Sequence, residues 1–164
     1  MESNEKTLKL TRISDEELKN FLDMKFKDFS AEEVNFDLFK DEVNTLTFQI
    51  EFKGDSAGIA QFYNIDWVNR SACIRIFWDE AIENDVEVKV VRLMLKYAFE
   101  VLNLNRVYSK VVEYKKDTIS VLKKCGFLQE GMERQAKFFK GKYWDVLRFS
   151  MLYEDYWRAI EDLK

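Results

Sequence analysis

Between a strand-like run that ends at Trp78 and another that begins at Arg106, apolar residues recur at helical spacing: Val88, Val91, Leu95, Ala98, Phe99 and Leu102. Strand, helix and strand in that order constrain the fold more than any other feature of the chain. Two strands joined through a helix return to one sheet as a parallel pair, by a right-handed crossover in nearly every case. The spacing predicts a helix near Val86 to Asn103 and a strand from Arg106 to Val112.

Upstream, the period changes from helical to alternating. Leu46 to Phe52, Ala57 to Ile65 and Ser71 to Trp78 alternate, with turns at Lys53-Gly54-Asp55 and Asp66 to Arg70. This predicts an antiparallel meander. Thr7 to Ile13 reads as an opening strand. Ser14-Asp15-Glu16-Glu17 and Ser30-Ala31-Glu32-Glu33 each carry the capping box of a helix start, the first followed by Leu18, Phe21 and Leu22, the second by Val34 and Leu38. Downstream, Asp117 to Lys124 reads as a short helix closed by Gly126. Glu133 to Phe139 and Tyr143 to Leu152 flank a Lys140-Gly141-Lys142 turn as a hairpin, and Tyr153 to Lys164 reads as a terminal amphipathic helix. With no internal repeat or linker, residues 1–164 are expected to form a single α/β (α+β) domain with a mixed, mainly antiparallel sheet.

Composition narrows the chemistry. The chain has no His, which removes Ser–His–Asp and Cys–His nucleophilic systems and His-ligated metal sites. Its two cysteines, Cys73 and Cys125, cannot make a structural zinc site and read as reduced, structural thiols of a cytoplasmic protein. Lys and Arg total 26 against 30 Asp and Glu, without a basic stripe, so nucleic acid is not an expected partner. No apolar run approaches the roughly 20 residues that cross a bilayer, and the first residues lack the blocks of a signal peptide, so no membrane association is expected.

An ordered series of motifs points to a family. Tyr97-Ala98-Phe99 is followed by Leu102-Asn103-Leu104-Asn105-Arg106-Val107, then by Lys124-Cys125-Gly126-Phe127, Glu130-Gly131 and Arg134. Gly141-Lys142-Tyr143-Trp144-Asp145 and Leu152-Tyr153 complete it, with Asn64-Ile65-Asp66-Trp67 and Asn69-Arg70-Ser71-Ala72 upstream. This series resembles the GNAT acyltransferase superfamily, and within it the branch of ribosomal-protein-alanine N-acetyltransferases and their small-amine relatives. The resemblance implies a sheet whose central parallel strands, here Ser71 to Trp78 and Arg106 to Val112, splay apart and are flanked by helices. It implies acetyl-CoA as cosubstrate, with pantetheine against the exposed strand edge and pyrophosphate at the N-terminus of the crossover helix, where orphan N–H groups and the helix dipole favour an anion. By position, Phe77, Trp78, Val86, Val88, Lys89 and Lys115 would bind the cofactor.

Four positions depart from that pattern. Asp85 and Glu87 stand where the family's phosphate loop has small residues, Lys115 where the branch commonly has Asn, and Leu122 where a Tyr often protonates the departing thiolate. A carboxylate within about 4 Å of a pyrophosphate costs on the order of 1 to 4 kcal/mol. Lys89, Arg92, Lys115 and Lys116 could neutralise the phosphates, although such cations are ordinarily solvated. For the proton of the acceptor ammonium the candidates are Glu113, at a strand end, and behind it Asp79 and Glu80, although acids at strand ends more often cap or solvate them. Trp78 and Trp144 are the aromatics placed nearest the expected cleft.

The expected activity is transfer of an acetyl group to a primary amine on a protein N-terminus, an amino sugar or a small molecule, with a homodimer left open. The alternative is a GNAT-fold binding or assembly module that has lost catalysis.

Overall fold

The computed structural model describes residues 8–25, 44–79 and 82–163. Strands β1 (Leu8–Ile13), β2 (Leu46–Phe52), β3 (Asp55–Asp66), β4 (Ser71–Trp78), β5 (Arg106–Val112), β6 (Leu128–Phe139) and β7 (Lys142–Leu152) form one sheet in the order β1-β2-β3-β4-β5-β7-β6. Among the described strands only β4 and β5 pair in parallel; the other neighbours are antiparallel. The crossover between them is α2 (Asn84–Lys96) followed by a π-helical turn, Tyr97–Val101. Helix α1 (Asp15–Lys25) follows β1, α3 (Lys116–Lys124) follows β5, and α4 (Tyr153–Asp162) closes the chain. The mixed, mainly antiparallel sheet expected from the sequence is therefore present. The helix expected from Ser30 lies outside the described residues.

Local chemistry sets the ends of these elements. Ser14 N–H donates to the Glu17 carboxylate at 2.7 Å while Glu17 N–H donates to Ser14 Oγ at 3.2 Å, the reciprocal capping box that starts α1. Helix α3 ends in a Schellman motif: Phe127 N–H bonds the Leu122 carbonyl and Gly126 N–H that of Lys123, both at 3.0 Å, with Gly126 at φ +93.

Two expected boundaries move. The crossover helix does not run unbroken to Asn103, because Leu102 N–H reaches back five residues to the Tyr97 carbonyl at 3.0 Å. The extra residue turns Tyr97 onto Phe48 (5.3 Å between ring centroids) while Phe99 stacks on Tyr156 of α4 (4.9 Å). Strand β6 starts at Leu128 rather than Glu133, and two register shifts in its pairing with β7, at Gln129/Gly131 and Glu133/Lys137, break the alternation that marks a strand.

The core lies between the sheet and α2. Phe48, Ile50, Ala60, Phe62, Ala72, Ile74, Val107 and Val111 from four strands meet Val90, Val91, Met94 and Leu95 of the helix. On the opposite face Ile59 packs against Leu22 of α1, with Leu18, Phe21 and Phe77 beside them. Gly58 lets β3 and β4 approach there, since a Cβ would lie 2.1 Å from the Phe77 carbonyl oxygen.

Candidate active site

The parallel pair is joined over three residues only: Ser71 with Arg106, Ala72 with Val107 and Cys73 with Tyr108. Beyond them β4 continues beside β3 to Trp78, while β5 continues beside β7 to Val112. At the crotch the buried Ser109 hydroxyl donates to the Ile74 carbonyl at 3.2 Å, a side-chain bond in place of the next backbone one. Strand parity then fixes what the gap offers, because the N–H and C=O of one residue point to the same side and alternate along the strand. The Phe77 carbonyl faces Gly58, and Asp79 N–H bonds the Ala57 carbonyl at 2.9 Å, so odd-numbered residues face β3. The backbone groups of Ile76 and Trp78 face the gap.

Both helices that follow the splayed strands begin at its open end. The ladder of α2 starts with Val86 N–H and Glu87 N–H on the Glu83 carbonyl, at 3.0 and 3.3 Å, so the amides of Asn84 and Asp85 precede it and have no partner in the helix. Among the described residues no side chain caps this end. Asp85 is exposed, whereas Glu87 is only 8% exposed. Burial raises the Glu87 pKa above the ordinary carboxylate value; Trp78 lowers it, Asp117 raises it and Lys115 lowers it. The Trp78 Nε1 is buried without a partner of hydrogen-bond geometry among the described residues, yet it faces Glu87 closely enough to favour the charged form. Glu87 therefore sits in a wedge between the end of β4 and the starts of α2 and α3.

The residues singled out in the sequence separate into three groups. Trp78 ends β4 and Lys115 is the exposed N-cap of α3, both at the open end, while Lys89 lies one turn into α2 and, like Trp78, is half-buried. Val86 and Val88 are core residues, and the Val86 amide is already bonded within the helix. The backbone of Phe77 is turned to β3 and its side chain packs on the α1 face. Glu113 stands at the end of β5 but faces β7, where Asp145 N–H donates to Glu113 Oε1 at 3.3 Å and Glu113 N–H to the Asp145 carbonyl at 3.0 Å. Glu80 lies outside the described residues. Leu122 is a core residue, 3% exposed. Cys73 and Cys125 are buried, unbridged thiols whose pKa values burial pushes up to about 11 each, far from the range of a reactive thiolate.

Ile76 and Ser109 escaped the sequence reading. A polar residue at an inward position between Val107 and Val111 was the available signal for Ser109. Nothing marked Ile76, since an open strand edge is a property of the neighbour that is missing. Beside the end of β5, Tyr114 stacks on Phe139 (5.4 Å) and meets Trp144 edge-on (4.9 Å), with Lys142 Nζ 3.5 Å from the Trp144 ring centroid. Across β5, β7 and β6, Lys110 and Arg148 share the Glu133 carboxylate at 3.2 and 3.1 Å. The aromatic group lies at the end of β5 and the charged one spans β5, β7 and β6.

Comparison with known proteins supplies the family. The model of the acetyltransferase (GNAT) domain matches residues 5–128. YdaF of Bacillus subtilis, named as a candidate ribosomal N-acetyltransferase, is 29% identical over 112 residues, 68% of this chain and 61% of its own length. The spermidine N(1)-acetyltransferase of Escherichia coli K12 is 27% identical over 110 residues, 66% of this chain and 59% of its own. The matched region thus spans about three-fifths of these relatives. Among solved structures, the spermidine N-acetyltransferase of Vibrio cholerae in complex with CoA and spermine superposes with a TM-score of 0.73 at 20% identity, covering 92% of this chain and 98% of that one. A dodecameric structure of the same enzyme gives 0.76 at 21% identity, covering 93% and 98%. With a family match over most of its length and the splayed parallel pair in place, the chain belongs to the GNAT acetyltransferase family.

Proposed function

We propose that this chain transfers an acetyl group from acetyl-coenzyme A to a primary amine. The observation that carries the reading is the splay: a strand edge open at Ile76 and Trp78, leading to the starts of two helices. An extended pantetheine arm needs backbone-like donors and acceptors in register, and the two edge residues supply them. The amides of Asn84 and Asp85, with Lys115 and Lys89, suit the pyrophosphate. Asp85 and Glu87 are at odds with an anion there, and the raised pKa of the buried Glu87 reduces its share of the conflict. When bound, acetyl-CoA supplies the thioester as acyl donor.

The remaining roles fall to the chain's own residues. The acceptor ammonium loses one proton before its nitrogen takes the acyl group, and Glu113, at the end of β5, is the carboxylate assigned to accept it. Its bond to Asp145 N–H leaves lone pairs for a bridging water. No tyrosine stands at Leu122, so the departing thiolate takes its proton from solvent. The acceptor enters over Tyr114, Trp144 and Glu133. Spermidine is the first amine to test, on the strength of the relatives' names.

The test is thiol release from acetyl-CoA with spermidine, an amino sugar or a peptide with a free N-terminus as acceptor. Amine-dependent release supports the reading; release no faster than hydrolysis with every acceptor overturns it.

A further inference from the structure

Val86, Glu87 and Val88 are consecutive and all buried, so the first turn of α2 is enclosed on more than one side and cannot roll a single side chain out. The two valines belong to the core cluster. Glu87 is thereby held in the wedge, in the same first turn as the Asn84 and Asp85 amides that the pyrophosphate would take. Four groups face its carboxyl from the packed elements: the Trp78 indole from β4, Lys115 from the turn before α3, Asp117 from α3 and the Cys125 thiol from its end. On its own helix Glu83 and Asp85 add negative charge at the same end. Three further carboxylates, Asp117, Glu83 and Asp85, outweigh Lys115 and the Lys89 of the next turn, so another anion beside an ionised Glu87 meets net negative charge.

We propose that Glu87 must be protonated for the pyrophosphate of coenzyme A to seat at the start of α2, so that binding takes up one proton from solvent. The neutral carboxylic acid then becomes a donor in the wedge, where the carboxylate could only accept. Burial outweighs the help of Trp78 and Lys115, so the fold shifts the group in the same direction. The inference rests on the coenzyme A reading above. It makes affinity for the cofactor fall with rising pH, by up to about tenfold per pH unit above the Glu87 pKa.

Calorimetric titration of the whole chain and of Glu87→Gln with coenzyme A, from about pH 5.5 to 8, tests it. Dephospho-coenzyme A is the second probe, because it lacks the phosphomonoester that itself titrates near pH 6. The unaltered chain is expected to lose affinity with pH relative to Glu87→Gln for both ligands. In two buffers of different ionisation enthalpy it should take up close to one proton with dephospho-coenzyme A, a measurement that needs no variant. Parallel pH profiles, or binding of dephospho-coenzyme A without proton uptake, overturn the inference and leave the coenzyme A reading standing. No binding by either protein at any pH overturns both.

Discussion

From Ser71 to Cys73, β4 has a strand on each side, and Ala72 and Cys73 are wholly buried. From Ile76 to Trp78 the same strand has β3 alone, and its side chains are only half-buried. Both halves have a strand-forming sequence, and the first is no more apolar than the second. What differs is the path of β5, which leaves to follow β7. The closed half carries packing, whereas the open half retains backbone groups that a second extended chain can use. Stability and binding competence are thus separated along one strand by three residues of pairing.

The largest effect expected on this contrast comes from the closed half. Phe62→Ala, on β3 opposite Ile74 and wholly buried beside the closed half, should cost about 3–5 kcal/mol in urea unfolding. Ile76→Ala, half-buried at the open edge, should cost roughly 1–2 kcal/mol. Equal costs would mean that the two halves contribute alike. Ser109→Ala acts where they meet. It strips the buried Ile74 carbonyl of the hydroxyl and should cost about 1–3 kcal/mol, with Ser109→Thr recovering most of it. A neutral Ser109→Ala would show that the crotch needs no such bond.

The smallest effect is a pH dependence of stability at the open end. The Glu87 pKa is raised in the folded chain, so its contribution is fully present below the ordinary carboxylate value and is lost as pH rises through the raised one. Glu87→Gln should therefore melt progressively higher than the unaltered chain as pH increases, in thermal scans without ligand. A constant difference in melting temperature across the range would contradict the buried, raised carboxyl.

Much of this architecture could be read from local signals. The Ser14–Glu17 capping box, the meander and the Gly126 stop each depend on a few neighbouring residues, and each appears where expected. The π turn at Tyr97 had no Gly or Pro to announce it, because it answers to the packing of Phe48 and Tyr156 from distant elements. The start of β6 was hidden by register shifts that scramble alternation. At the site, position along the chain put Trp78 at the end of β4 and Lys115 at the start of α3. It could not say that Phe77 turns its backbone to β3, that Glu113 turns to β7, or that Glu87 rather than Asp85 is buried. Those facts depend on which side of a strand or helix a neighbour occupies, and a single sequence does not state it.

Amide hydrogen exchange of β4, with and without saturating coenzyme A, tests the splay most directly. The amides of Ile76 and Trp78 face the gap and should exchange more slowly when the ligand is bound. Those of Arg75 and Phe77 already face β3 and should change little. Protection confined to Ile76 and Trp78 is the result this geometry requires. Equal protection of all four, or none at Ile76 and Trp78 despite saturation, would contradict it.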